Sequence, residues 1–161
     1  MVKAEFKFDN IDAWSRKLRD PKLIGVPIRR GLLRSAIHAV GETKKRTPVD
    51  TGRLRNSMNS DVDSAPIPRF ATFGTDLSYA LAVEEGSRPH FPPMSALQPW
   101  AVRHGFPPGK AGAFLVGRAI AQRGTKAHHM VRDGLDATKK FFRQQMLLAA
   151  RDIEREFRRI K

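Results

Sequence analysis

Seven apolar residues near the C-terminus leave this chain little choice of local structure. Leu135, Phe142, Met146, Ala149, Ile153, Phe157 and Ile160 step by 7, 4, 3, 4, 4 and 3. Steps of three, four and seven return to one side of an α-helix and to no fixed side of a strand, so the spacing predicts one long helix ending the chain. Glu154 and Arg158 add an i,i+4 pair worth about 0.3 kcal/mol. A second amphipathic helix is predicted to begin at Pro27, since the missing N–H of proline has no cost at a first helical position. Ile28, Leu32, Leu33, Ala36, Ile37 and Val40 form its apolar face, and Arg29, Arg30, Arg34, Lys44 and Lys45 its basic back. Pro48 disfavours helical geometry at Thr47 and should stop it there.

Between these helices the pattern is broken by turns. Asp9 to Leu18 reads as a short capped helix closed by Asp20-Pro21. Leu54, Met58 and Val62 fall at even spacing and predict a strand, with Arg53, Arg55 and Ser57 on its other side. Arg69 to Thr75 reads as the returning strand, and Ser78 to Glu85 as a short helix ended by Gly86. Two further helices are expected from Ser95 and from about Ala111 to Arg123, parted by Pro107-Pro108-Gly109. Gly86-Ser87-Arg88-Pro89-His90 is echoed by Gly124-Thr125-Lys126-Ala127-His128, as if residues 91–123 were an insertion lifted out of one loop. The expected architecture is α+β in a single domain, 1–161: a long amphipathic N-terminal helix, a small antiparallel sheet, an inserted helical pair and a long C-terminal helix.

At 161 residues one domain with an ordinary core is the natural prior. The N-terminus alternates charged and apolar residues, which suits a strand and not a signal peptide. No apolar run approaches the roughly 20 residues of a membrane span. With no cysteine, disulfides, thiolate chemistry and Cys-based zinc sites are excluded. The net charge is +14, unevenly spread. Pro27 to Arg55 holds 8 basic and 2 acidic residues, Lys139 to Lys161 holds 8 and 3, and Asn56 to Met94 holds 2 and 5. Such basic segments attract phosphate backbones or acidic partners without reading sequence. The acidic middle suggests contact between copies of the chain.

Enzyme chemistry finds little purchase. Asp50-Thr51-Gly52 matches the aspartic-protease tripeptide, whose two carboxylates share a proton in a dry setting. Here Pro48 precedes it and Arg53-Leu54-Arg55 follows, where apolar strands are needed. The expected alternative is an Asx-turn, with Asp50 capping its own backbone and Gly52 at positive φ. His90, His104, His128 and His129 lack metal-ligand spacing. Residues 105–112 lack the phosphate-loop signature. Glu84 and Glu85, adjacent on a helix, point apart. No catalytic residue, metal site or cofactor is expected. Few tyrosines and tryptophans leave little for base stacking, so any DNA contact should be to the backbone.

Two blocks carry a resemblance. The first is Thr47-Pro48-Val49-Asp50-Thr51-Gly52-Arg53-Leu54 with Ser57. The second is Gly74-Thr75, Tyr79-Ala80, Glu84 or Glu85, then Gly86-Ser87-Arg88-Pro89-His90. In this order, behind an amphipathic helix, they resemble the small neck and tail-completion proteins of long-tailed double-stranded DNA phages and prophages. The match covers about residues 27–90 and the terminal helix. Where that family often has Pro-Phe before its last helix, this chain has Ala127-His128-His129-Met130. The resemblance implies a non-enzymatic virion protein, assembled in the bacterial host cytoplasm as part of a homo-oligomeric ring joining head to tail, through which DNA passes. Its partners would be other neck and tail proteins (head-closure, tail-terminator, tail-tube or tape-measure proteins). Arg29, Arg30, Arg34, Lys44, Lys45 and Arg46 would face DNA or a neighbouring subunit. Pro48, Asp50, Thr51, Gly52, Leu54, Gly74, Tyr79, Glu84, Glu85 and Gly86 would be structural or interfacial. The reading from charge alone is a free basic protein that binds DNA without sequence specificity.

Overall fold

A computed structural model describes residues 15–16 and 20–159. In chain order the elements are α1 (Pro21–Arg46), α2 (Arg53–Asn56), β1 (Asn59–Val62), β2 (Ala71–Gly74), α3 (Ala80–Glu85), α4 (Met94–Arg103), α5 (Lys110–Arg123) and α6 (Met130–Arg158). The class is α+β and mostly helical, with one two-stranded antiparallel sheet. The expected helix at Asp9 to Leu18 lies largely outside the described residues.

α1 starts six residues before the expected Pro27. Asp20 Oδ1 accepts the Lys22 N–H at 2.9 Å, so Asp20 caps the helix and Pro21 takes its first position. The Asp-Pro pair that reads as a stop is therefore a start, and Pro27 sits inside the helix. The first strand differs as well. Leu54 and Met58 are four residues apart, a spacing shared by one face of a strand and one turn of a helix. A helical turn, α2, forms over Arg53–Asn56, and pairing begins only at Asn59. Both side chains then reach the same core, where burial outweighs strand propensity.

The described residues divide into two compact units. The first, residues 20–38, 60–73 and 138–159 among those described, joins the start of α1, the β-hairpin and most of α6. A Cβ on Gly25 would stand 2.0 Å from the Pro66 carbonyl oxygen, so only glycine lets the hairpin loop lie on α1. Arg29 fastens that loop by donating to the carbonyls of Asp63 (2.9 Å) and Ala65 (2.6 Å). His38 stacks on Phe141 with centroids 4.3 Å apart, and its Nδ1 lies 3.1 Å from the Thr138 hydroxyl. The expected Glu154–Arg158 pair is present at 2.6 Å.

The second unit, residues 39–59 and 74–137, holds a core of Leu54, Met58 and Met130. Val40, Leu77, Ala80, Val83 and Val131 pack around it. Within this unit α4 and α5 lie side by side as the expected inserted pair. Their contact is made by small residues: Ala101 and Ala113 are fully buried, and Gly117 faces the Phe91 ring. Small side chains let helix backbones approach closely, which the Pro107-Pro108-Gly109 turn between them requires.

Candidate functional site

The two motif blocks meet. Gly52 has φ 79°, the left-handed conformation expected of it, and opens α2. The cap itself is not Asp50. The Thr51 hydroxyl receives the Arg53 N–H at 3.4 Å, and Asp50 turns away to bind Arg103, fifty-three positions on in sequence. Arg103 Nε donates to Asp50 Oδ1 at 2.8 Å, and Nη2 donates to Oδ2 in a bidentate clasp. His104 Nδ1 stands 3.9 Å from the same carboxylate. The Arg103 hydrogen bonds hold the Asp50 carboxyl below its ordinary range, and raise Arg103 in return. Paired with a guanidinium, the Asp50 carboxylate anchors the tripeptide turn to the C-terminal end of α4. Upstream, the Thr47 hydroxyl and N–H both donate to the Thr43 carbonyl as α1 ends before Pro48.

Ser57 and Thr75 join the blocks directly, their hydroxyls 2.6 Å apart. Gly74, at φ 155°, precedes Thr75, whose oxygen also receives the Leu77 N–H at 3.3 Å. From there α3 delivers Glu84 to the start of α6. Glu84 Oε2 accepts the Val131 N–H at 2.9 Å and Oε1 accepts the Arg132 N–H at 3.0 Å. The carbonyls of Val83 and Glu84 receive the N–H groups of His128 and His129, each at 3.0 Å. Glu84 therefore caps a helix it does not belong to, with a negative charge at the positive end of the dipole. His129 takes a positive φ of 47° here, and the next residue, Met130, is fully buried in the core. Tyr79, ahead of α3, stays 42% exposed.

Adjacent in sequence, Glu84 and Glu85 do not diverge as expected. One carboxylate oxygen of each and one ring nitrogen of His129 lie within 4.8 Å of one another. His129 Nδ1 is buried without a hydrogen-bond partner. Such a trio could in principle ligate a cation. Two features oppose one: both oxygens of Glu84 already accept helix N–H bonds, and the positive end of the α6 dipole points at them. The grouping is built as a cap. Nothing in the sequence marks it, because His129 comes forty-five positions after Glu84.

The echoed segments pair with each other. Ser87 and Thr125 form an antiparallel bridge, N–H to carbonyl both ways at 3.2 and 3.1 Å, with the two hydroxyls 2.9 Å apart. Gly86 (φ 72°, ψ −176°) and Gly124 (φ 69°, ψ −158°) precede them in nearly the same conformation. A Cβ at Gly124 would lie 2.0 Å from the Ser87 oxygen, and one at Gly86 2.4 Å from the Thr125 oxygen. The repeat is thus the neck from which the α4–α5 hairpin emerges.

The basic face of α1 is largely engaged. Arg29 is half-buried on the hairpin carbonyls, and Arg30 lies 3.7 Å from Asp152. Glu42 clasps both Lys45 (2.5 Å) and Arg46 (2.7 Å), which hold its carboxyl down to about 2. Of the six candidate cations, Arg29, Arg34 and Lys44 make no ion pair among the described residues; Arg29 is spent on carbonyls and Lys44 is half-buried. No helix among the described residues is long and apolar enough to cross a membrane. Compared with models of protein families, with curated proteins and with solved structures, the chain matches none.

Proposed function

We propose that this chain is a structural, non-enzymatic component of a phage neck or tail, forming with copies of itself a ring through which duplex DNA passes. The supporting observation is an inversion of polarity on the long helices. On α6, Thr138 and Gln145 are buried while Leu135, Phe142, Leu147 and Leu148 are exposed. On α1, Ser35 and Thr43 are buried while Val26, Leu33 and Ile37 are exposed, the last at 58%. Among the described residues, five of the ten buried hydrophobic side chains are alanines. Large apolar side chains left exposed along both long helices, beside a core that also holds Leu32, Leu54, Met58 and Met130, support the reading that these faces are contact surfaces. Phe142, Met146 and Leu147 line one apolar depression on α6, rimmed by Lys139 and Arg143. Such a surface is compatible with head-to-tail contacts, which give a ring where the rotation between copies closes.

The motif blocks fit the same reading. Their turns, cap and bridge are all engaged in holding the second unit together, which supports a structural role for them. The high net charge also favours a free, sequence-indifferent DNA binder, and assembly separates the two. Sedimentation of purified protein, alone and with partner neck and tail proteins, is expected to show a closed oligomer. Leu33→Glu combined with Ile37→Glu should leave helicity intact and abolish it. A chain that stays monomeric at high concentration and with those partners sinks the proposal.

A further inference from the structure

From Gly86 to Arg132 the sequence contains seven basic residues and no aspartate or glutamate. This stretch is the α4–α5 hairpin with its neck. Two of the seven are accounted for: Arg103 by Asp50, and Arg132 by Asp133 at 3.5 Å. The other five, Arg88, Lys110, Arg118, Arg123 and Lys126, are all exposed, and none makes an ion pair among the described residues. Lys110, Phe114 and Arg118 follow one another at four-residue spacing along α5 and are exposed, beside buried Ala113 and Gly117 and with buried Gly112 and Val116 further round the helix. Arg88 and Lys126 adjoin the two residues of the neck bridge. Fixed by that bridge, they are held in place and not scattered on a loose loop.

Unpaired cations with no anion in the same element create a positive field that a paired set cannot. We propose that this hairpin is the DNA-contacting surface of the protein, binding the phosphodiester backbone of duplex DNA through Arg88, Lys110, Arg118, Arg123 and Lys126. Trp100 stacks on His104 at 3.9 Å, and Phe91 lies on Gly117 beside Phe114, centroids 6.1 Å away, yet all three rings keep exposed surface. Duplex is the stronger match to charge alone, since both strands together carry one negative charge per about 1.7 Å of axis. Contact through backbone charge alone is indifferent to sequence and sensitive to salt.

The inference rests on the proposed function only for the source of the DNA, and its test does not require a ring. The full chain is titrated with a fluorescent duplex over a range of salt, beside the Lys110→Gln/Arg118→Gln/Arg123→Gln/Lys126→Gln variant and an Arg34→Gln/Lys44→Gln control. Loss of four phosphate contacts should flatten the log–log salt slope by about 3 to 4 and weaken binding on the order of 100-fold at low salt. The control should stay within about threefold. Circular dichroism confirms that the variants fold. As a measurement on the unmodified chain, duplex should protect Lys110 and Lys126 from acetylation and leave Lys44 as reactive as before. The inference is overturned if the control loses binding and the hairpin variant keeps it. Tighter binding of single strands through the hairpin also overturns it, as does unchanged duplex binding with lost docking to an acidic neck protein. A chain that binds duplex through the hairpin yet never assembles sinks the ring reading and leaves this inference standing.

Discussion

The C-terminal end of α1 and the α4–α5 hairpin are both rich in cations, and they differ in what surrounds those cations. On α1, Glu42 sits one turn from Lys45 and Arg46 and binds both. On the hairpin no carboxylate lies within the element: Asp50 pairs with one of its cations, Arg103, Glu84 caps the N-terminus of α6, and exposed Glu85 makes no ion pair with the other five among the described residues. Per residue of sequence the first region is the denser in charge, with 8 basic and 2 acidic residues over 27–55 against seven basic and none acidic over 86–132. Tracing their partners reverses the order, because a cation held by a carboxylate has little field left to offer a distant phosphate.

The largest test of this contrast is at the neck. Gly124→Ala places a Cβ at positive φ against the Ser87 oxygen, and should cost about 3 kcal/mol in denaturant unfolding. Duplex affinity should fall with it, as Arg88, Arg123 and Lys126 lose their fixed places. Unchanged stability would break the comparison at its root, since the hairpin would not then be held by its neck. Next in size is Glu84→Gln. The carboxamide keeps one acceptor oxygen for two helix N–H groups, so a loss of about 1 kcal/mol is expected, with salt-dependent binding intact.

Glu42→Gln acts on the other side of the contrast by freeing Lys45 and Arg46. A gain in duplex affinity of about threefold at low salt is expected; no gain would mean that pairing is not what mutes this face. The same variant has a pH signature. Folding lowers the Glu42 carboxyl from 4.5 to about 2, so its contribution is complete above pH 4.5 and is lost as pH falls toward 2. A melting series across that range should show the variant lacking this part of the acid limb. The smallest effect belongs to Asp50→Asn. Its carboxyl is also lowered in the fold, so the stabilisation present above its ordinary range disappears as pH falls through the lowered value. An exposed pair contributes little, and the change should be visible only in that acid limb and in the mobility of the 47–53 turn.

Much of the fold can be read from residue order. The α6 stripe, the positive φ at Gly52, the helical pair and the echo at Gly86 and Gly124 all follow from local rules, because spacing and turn chemistry act over a few residues. The misreadings share one cause. Asp20-Pro21 serves equally as a helix stop or a cap with its first residue, and Leu54 to Met58 fits both a strand face and a helical turn. Local physics leaves such pairs nearly balanced, and packing on Met130 tips the second. Partners at a distance are beyond it altogether: the arginine that claims Asp50, the helix that claims Glu84, and the buried Thr138 that leaves Phe142 outside.

What the sequence determined by itself is the two long helices and the helical pair, most of the turns between them and the excess of positive charge. Periodicity and backbone preference are properties of neighbours in the chain. Which of those charges remain unpaired, and which apolar side chains remain uncovered, was decided only when distant segments met. Ion pairing and burial depend on distance in space: α1 carries its own Glu42 and gains Asp152 from α6, while among the described residues no anion pairs with the five exposed cations between Arg88 and Lys126.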